Sequence, residues 1–113
     1  MNISHIDQGV YNTLGEILED ELPSLVEEFI EDASGKLKEL KEHAKNNDAE
    51  KIFSISHSLK SSSANLGAMK VSEICKSLEA ESRNGSTTGA VELVNSLDDV
   101  LERTKKDLKM LIK

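Results

Sequence analysis

Residues 56–67 read SHSLKSSSANLG. The chain is 31% charged, yet from Phe53 to Leu66 it holds no acid and a single base, Lys60. A core segment would be more apolar, and a flexible linker would not carry Ile52, Phe53, Ile55, Leu59 and Leu66 at helical spacing. An α-helix turns about 100° per residue. With Ile52 at zero, Ile55, Ser56, Leu59, Ser63 and Leu66 gather near ~340°, which makes that side the core face. His57 falls near ~140°, almost opposite, beside Phe53, Ser54, Lys60, Ser61 and Ala64. A lone histidine on an outer helix face is ordinarily just solvated. A solvated face, however, ordinarily carries Glu, Lys, Gln or Arg, and serine is a mediocre helix former. Small side chains one turn to either side leave the imidazole open to close approach by another macromolecule.

Working outward, the same periodicity predicts five helices. A short one, about 10–18, carries Val10, Tyr11, Leu14, Ile17 and Leu18. Leu22-Pro23 breaks it, and proline suits the first turn of a second helix, about 23–45. Gly35 inside that helix marks either a close helix contact or a bend. Asn46-Asn47-Asp48 ends it and can cap the third helix, about 49–66, with Gly67 as a left-handed stop. The fourth, about 70–83, has the stripe Val71, Ile74, Cys75 and Leu78 and stops at Asn84-Gly85. Ser86 or Thr87 can cap the fifth, about 88–111. Short linkers between long amphipathic helices imply antiparallel neighbours. The expected fold is all-α: an antiparallel up-down-up-down four-helix bundle, with the short extra N-terminal helix packed over one end.

Composition narrows the function. The 113 residues suit one modest domain, and the net charge of −7 is uneven. Residues 1–35 hold nine acids and no Lys or Arg, and the rest holds 12 acids against 14 bases. The acidic end and the 3% aromatic content argue against nucleic-acid binding. No apolar run approaches the roughly 20 residues of a membrane span. No signal peptide is visible, and a single cysteine fits a reducing cytoplasm. The starting Met and compact length favour a free-standing protein. Cys75 lies on the core stripe and reads as a buried small apolar residue. His5 is expected in a loose N-terminus, and His43 in a solvated charged run.

The stretch His57-Ser58-Leu59-Lys60, followed by small residues and Gly67, resembles the H-x-L-K-G-x-x-x-x-x-G signature of histidine-containing phosphotransfer domains. The resemblance spans roughly residues 11–111 and includes Asn47-Asp48 before the signature helix and Leu78-Glu79 on the next. It implies a bundle whose exposed histidine carries a phosphoryl group between response-regulator receiver domains, fed by a hybrid sensor kinase. By that match His57 is the phosphoacceptor and Lys60 is the lysine near the phosphoryl group. Ser61 departs from the usual glycine but remains small. Glu79 matches a position that often holds an acid or amide near the histidine. It is either a solvated helix charge or an acceptor for one ring N–H that leaves the other nitrogen free, as the acid does beside a catalytic histidine.

The chemistry implied is transfer, not hydrolysis, and depends on positioning and charge stabilisation. There is no G-x-x-x-x-G-K-[ST] loop, so the chain is expected to be a phosphocarrier, not an enzyme with its own ATP site. No cofactor is expected on this chain, and the divalent metal is expected on the receiver. The docking face is expected to comprise Phe53, Ser54, Ser61, Ala64, Gly67 and Met69, with Met69 readable also as core edge. The expected form is a monomer. Two rivals stand beside this reading. One is a non-catalytic helical adaptor that uses the Ser-rich face. The other is a metal-binding bundle, which lacks the inward Glu-x-x-His pairs that di-iron bundles need.

Overall fold

The computed structural model describes residues 5–112. Helix α1 spans Gln8–Leu18, and a 3-10 turn at Glu19–Glu21 leads into α2, Leu22–Lys45. Then come α3 (Ala49–Asn65), α4 (Met69–Arg83) and α5 (Ala90–Leu111). The described residues are otherwise turns. Helix α3 packs between α2 and α4, and α5 closes the ring by packing on both α4 and α2. The partners run antiparallel: Lys41 on α2 meets Asp98 on α5, while Ile30, about three turns earlier, shares a groove with Lys109. The fold is an all-α antiparallel four-helix bundle, 41 × 24 × 20 Å in extent.

Leucine and isoleucine at steps of three and four build the core. Leu40, Ile52, Leu59, Leu66, Leu78, Leu97, Leu101 and Leu108 are all essentially withdrawn from water. Burying each such side chain stabilises the fold by about 1.5–3 kcal/mol. Ser56 and Ser63 also face this core with no exposed surface. Their hydroxyls donate back to the Ile52 and Leu59 carbonyls at 2.6 and 2.7 Å, so neither hydroxyl is stranded. Helix α4 packs closely against α3, and Ser72 on α4 donates to the Lys60 carbonyl at 3.1 Å.

Asp7 and Asp48 cap α1 and α3 through their carboxylates, accepting from Val10 and Lys51 backbone N–H groups at 3.2 and 3.1 Å. Several expectations need correction. The α5 helix begins at Ala90, later than 88, and neither Ser86 nor Thr87 caps it. The Gly89 N–H that opens the helix donates instead to the Glu81 carboxylate at 2.9 Å. Gly35 marks no close contact, since a Cβ there would meet nothing within 4 Å, and α2 runs unbroken through it.

The N-terminal segment is not loose where it is described. Ile6 is buried, His5 lies 3.7 Å from Asp107, and the Asp7 N–H donates to the Gly67 carbonyl at 2.7 Å. Burial and the nearby Lys70 charge hold the His5 imidazole below its ordinary pKa. His43 is half-buried rather than solvated, 4.0 Å from Asp48. Gly67 does adopt the left-handed conformation, φ +84°, that the α3 stop requires.

Candidate functional site

The site is built on the middle of α3 and the second half of α4. The helical period of α3 turns His57 outward, and its side chain is 59% exposed. Its Nδ1 lies 3.1 Å from Glu79 Oε2 across the α3–α4 interface. Glu79 itself is buried, with a side chain only 5% exposed. Three nitrogen groups converge on this one carboxylate. Lys60 Nζ reaches Oε1 at 3.1 Å and Oε2 at 2.8 Å, and Arg83 Nη2 reaches Oε1 at 3.1 Å. A buried carboxylate without such partners would be costly.

The charge state follows from these contacts. The Lys60 ammonium hydrogen-bonded to Glu79 holds its carboxyl below the ordinary carboxylate range, overriding the upward push of burial, and His57 adds a further hydrogen bond. An ionised carboxylate only accepts hydrogen bonds. His57 Nδ1 therefore donates, and in the neutral imidazole the lone pair sits on Nε2, the nitrogen away from Glu79. The ring is also braced on its flat side. Phe53, one turn earlier on α3, stacks on it with centroids 6.1 Å apart and planes 12° apart. The Arg83 guanidinium covers Phe53, 5.6 Å from the ring centroid.

The other residues singled out in the sequence divide. Ser54 and Ser61 are exposed beside His57, and Ala64 is half-buried on the same outer side. Met69 is exposed at the start of α4. Gly67 does not belong to a docking face: it is buried, and a Cβ there would stand 2.7 Å from the Asp7 carbonyl oxygen. Lys60 is engaged with Glu79 rather than lying free beside the ring. Cys75, one turn before Glu79, is fully buried, and burial together with the Glu79 charge pushes its thiol up to about 12. Among the described residues, no group of three or more His, Cys, Asp or Glu side chains is placed to hold a metal ion.

Sequence reasoning missed Arg83 as a member of this cluster. The available signal was its spacing, four residues after Glu79, which puts an acid and a base on one helix face in the favourable order.

An outward histidine whose inner nitrogen is fixed by a buried acid, on a four-helix bundle, is the arrangement of a phosphotransfer module. A family model for the Hpt domain matches residues 24–107, and the chain belongs to that family. The fold is similar to the crystal structure of histidine-containing phosphotransfer protein B (HptB) from Pseudomonas aeruginosa PAO1. The two share 29% sequence identity at a TM-score of 0.92, over 96% of this chain and 95% of that one. No curated protein sequence matches the chain.

Proposed function

We propose that the chain is a phosphorelay carrier. Nε2 of His57 accepts a phosphoryl group from the phospho-aspartate of a response-regulator receiver domain and passes it to another receiver. The observation that carries this reading is the 3.1 Å contact of Nδ1 with a buried, ionised Glu79, which leaves Nε2 as the nucleophilic atom on the outer side. In the transfer, the Nε2–P bond forms as the acyl phosphate P–O bond breaks, and the aspartate leaves as a carboxylate. The proton stays on Nδ1, where the imidazole gains positive character that Glu79 offsets. The reverse step regenerates the neutral ring.

Little covalent chemistry is asked of this chain, because phosphoryl transfer depends on alignment and charge. The divalent metal and the acidic pocket belong to the receiver, and the phosphoryl group originates on a hybrid sensor kinase. On this reading the chain has no ATP site and acts as a cytoplasmic monomer. The receiver docks around His57 on Ser54, Ser61 and Ala64, whose small side chains let its own pocket descend onto the ring. Such an encounter is transient, burying roughly 1,200 Å² or less in total.

The test is transfer of labelled phosphoryl groups from a panel of phosphorylated receivers. Label moves onto the wild-type chain and not onto His57→Gln. If His57→Gln takes up label as well as wild type, the phosphoacceptor assignment is wrong. If neither takes up label and the signalling output persists, the chain is an adaptor.

A further inference from the structure

The imidazole and three neighbouring side chains form a closed ring of contacts. His57 meets Glu79 at 3.1 Å, Glu79 meets Arg83 at 3.1 Å, Arg83 covers Phe53 at 5.6 Å, and Phe53 stacks on His57 at 6.1 Å. Lys60 stands outside this ring and spans both oxygens of Glu79. The division of oxygens matters. His57 uses only Oε2 and Arg83 uses only Oε1, so each oxygen keeps one partner when Lys60 is taken away.

Building on the phosphorelay reading, we propose that Arg83 is a positioning residue: it holds Glu79 against His57 Nδ1 while Lys60 leaves to meet the phosphoryl group on Nε2. The chemistry of the two cations supports that assignment. Lysine is a compact charge on a flexible stem, and Lys60 is three residues from His57, one helical turn along. A phosphoryl group brings more negative charge than a carboxylate and draws the ammonium to it. Arginine is planar and stacks, and Arg83 is held both by the carboxylate and by the Phe53 face. Without it, departure of Lys60 would leave a buried anion with the imidazole as its one partner among these groups. With it, ring orientation is the same in the free and phosphorylated states, so the forward and reverse transfers start from one geometry.

The test loads the full chain with phosphoramidate, which needs no receiver, and follows the imidazole nitrogen resonances, exchange of the Nδ1 proton and the phosphorus resonance. Wild type, Arg83→Ala, Arg83→Lys and Lys60→Ala are compared. Arg83 is largely exposed, so its variants are expected to fold. In the free state, Arg83→Ala keeps the wild-type tautomer, because Lys60 still holds Glu79. In the phosphorylated state its Nδ1 proton exchanges about ten-fold faster than in wild type, the equivalent of one weak charge-assisted hydrogen bond, and Arg83→Lys restores part of the protection. Lys60→Ala shifts the phosphorus resonance and Arg83→Ala does not. Equal protection in phosphorylated wild type and Arg83→Ala overturns the proposal. So does loss of protection already in the free state, or a phosphorus shift caused by Arg83→Ala. If wild type takes up no phosphoryl group on His57, the carrier reading itself fails, and this inference with it.

Discussion

Replacing Glu79 by Gln preserves the shape of the side chain and removes its charge. The carboxylate meets His57 Nδ1 at 3.1 Å, Lys60 Nζ at 2.8 Å and Arg83 Nη2 at 3.1 Å. During transfer the imidazole gains positive character, and Gln would answer it with a neutral carbonyl. A hydrogen bond to a charged group contributes roughly 1.5–3 kcal/mol, against about 1 for a neutral one, so the loss is on the order of 1–2 kcal/mol. That corresponds to transfer slowed by roughly 5- to 30-fold. Solvent screening of His57, 59% exposed, places the effect near about ten-fold. It falls far below the ~10⁴-fold loss when the acid of a buried serine-protease triad is made neutral. Rapid-quench measurement of label passing from a phosphorylated receiver reads this directly. A Glu79→Gln rate within about two-fold of wild type would refute the role given to the charge.

The same substitution has a signature in acid. The folded carboxyl titrates below its ordinary value of 4.5, so in that window the unfolded chain binds the extra proton and stability rises with pH. The contribution is present above the ordinary value and is lost as pH falls through the folded one. Glu79→Gln is therefore expected to flatten that part of the acid limb of a denaturation series.

Three further outcomes follow from the packing. Gly35→Ala places a methyl in open space on α2 and is expected to stabilise by about 1 kcal/mol, raising Tm by about 4 °C; an unchanged Tm would show that the helix does not run through this point as described. Gly67→Ala puts a Cβ at φ +84° within 2.7 Å of the Asp7 carbonyl oxygen, with an expected cost of about 2 kcal/mol or more and faster exchange of the Asp7 amide; wild-type urea midpoint and exchange would contradict the docking of the N-terminal segment. Burial pushes Cys75 up from 9.0 to about 12, so above its ordinary value the unfolded chain sheds a proton that the folded chain keeps, and stability falls with rising pH by at most about 1.4 kcal/mol per unit. Cys75→Ala should remove that slope, and an identical alkaline limb in both proteins would show that the thiol is not protected.

The outward turn of His57 was legible because it depends only on helical period and on which residues are apolar. Ile52, Ser56, Leu59 and Ser63 are buried as their angles require, including two serines that composition alone would have put outside. Helix ends were legible where the capping group lies next in sequence, as at Asp48 and Gly67. The start of α5 was not, because its first N–H is satisfied by Glu81, whose side chain comes from the preceding helix. The docking of residues 5–7 was equally hidden, since it rests on a backbone bond to Gly67 that has no sequence pattern.

The site divides along the same line. Sequence alone determined that an imidazole stands on a bare outer face with a lysine one turn away, because spacing within one helix is a local property. Whether Glu79 was a solvated charge or the partner of that imidazole depended on how α4 packs against α3. His57 and Glu79 lie 22 positions apart, and a contact at that separation exists only once α3 and α4 are packed together. The same packing takes Lys60 from the ring to the carboxylate and recruits Arg83. Which nitrogen of His57 is left free was therefore decided by tertiary structure, because a tautomer is selected by the group across the interface and not by the helix that carries the ring.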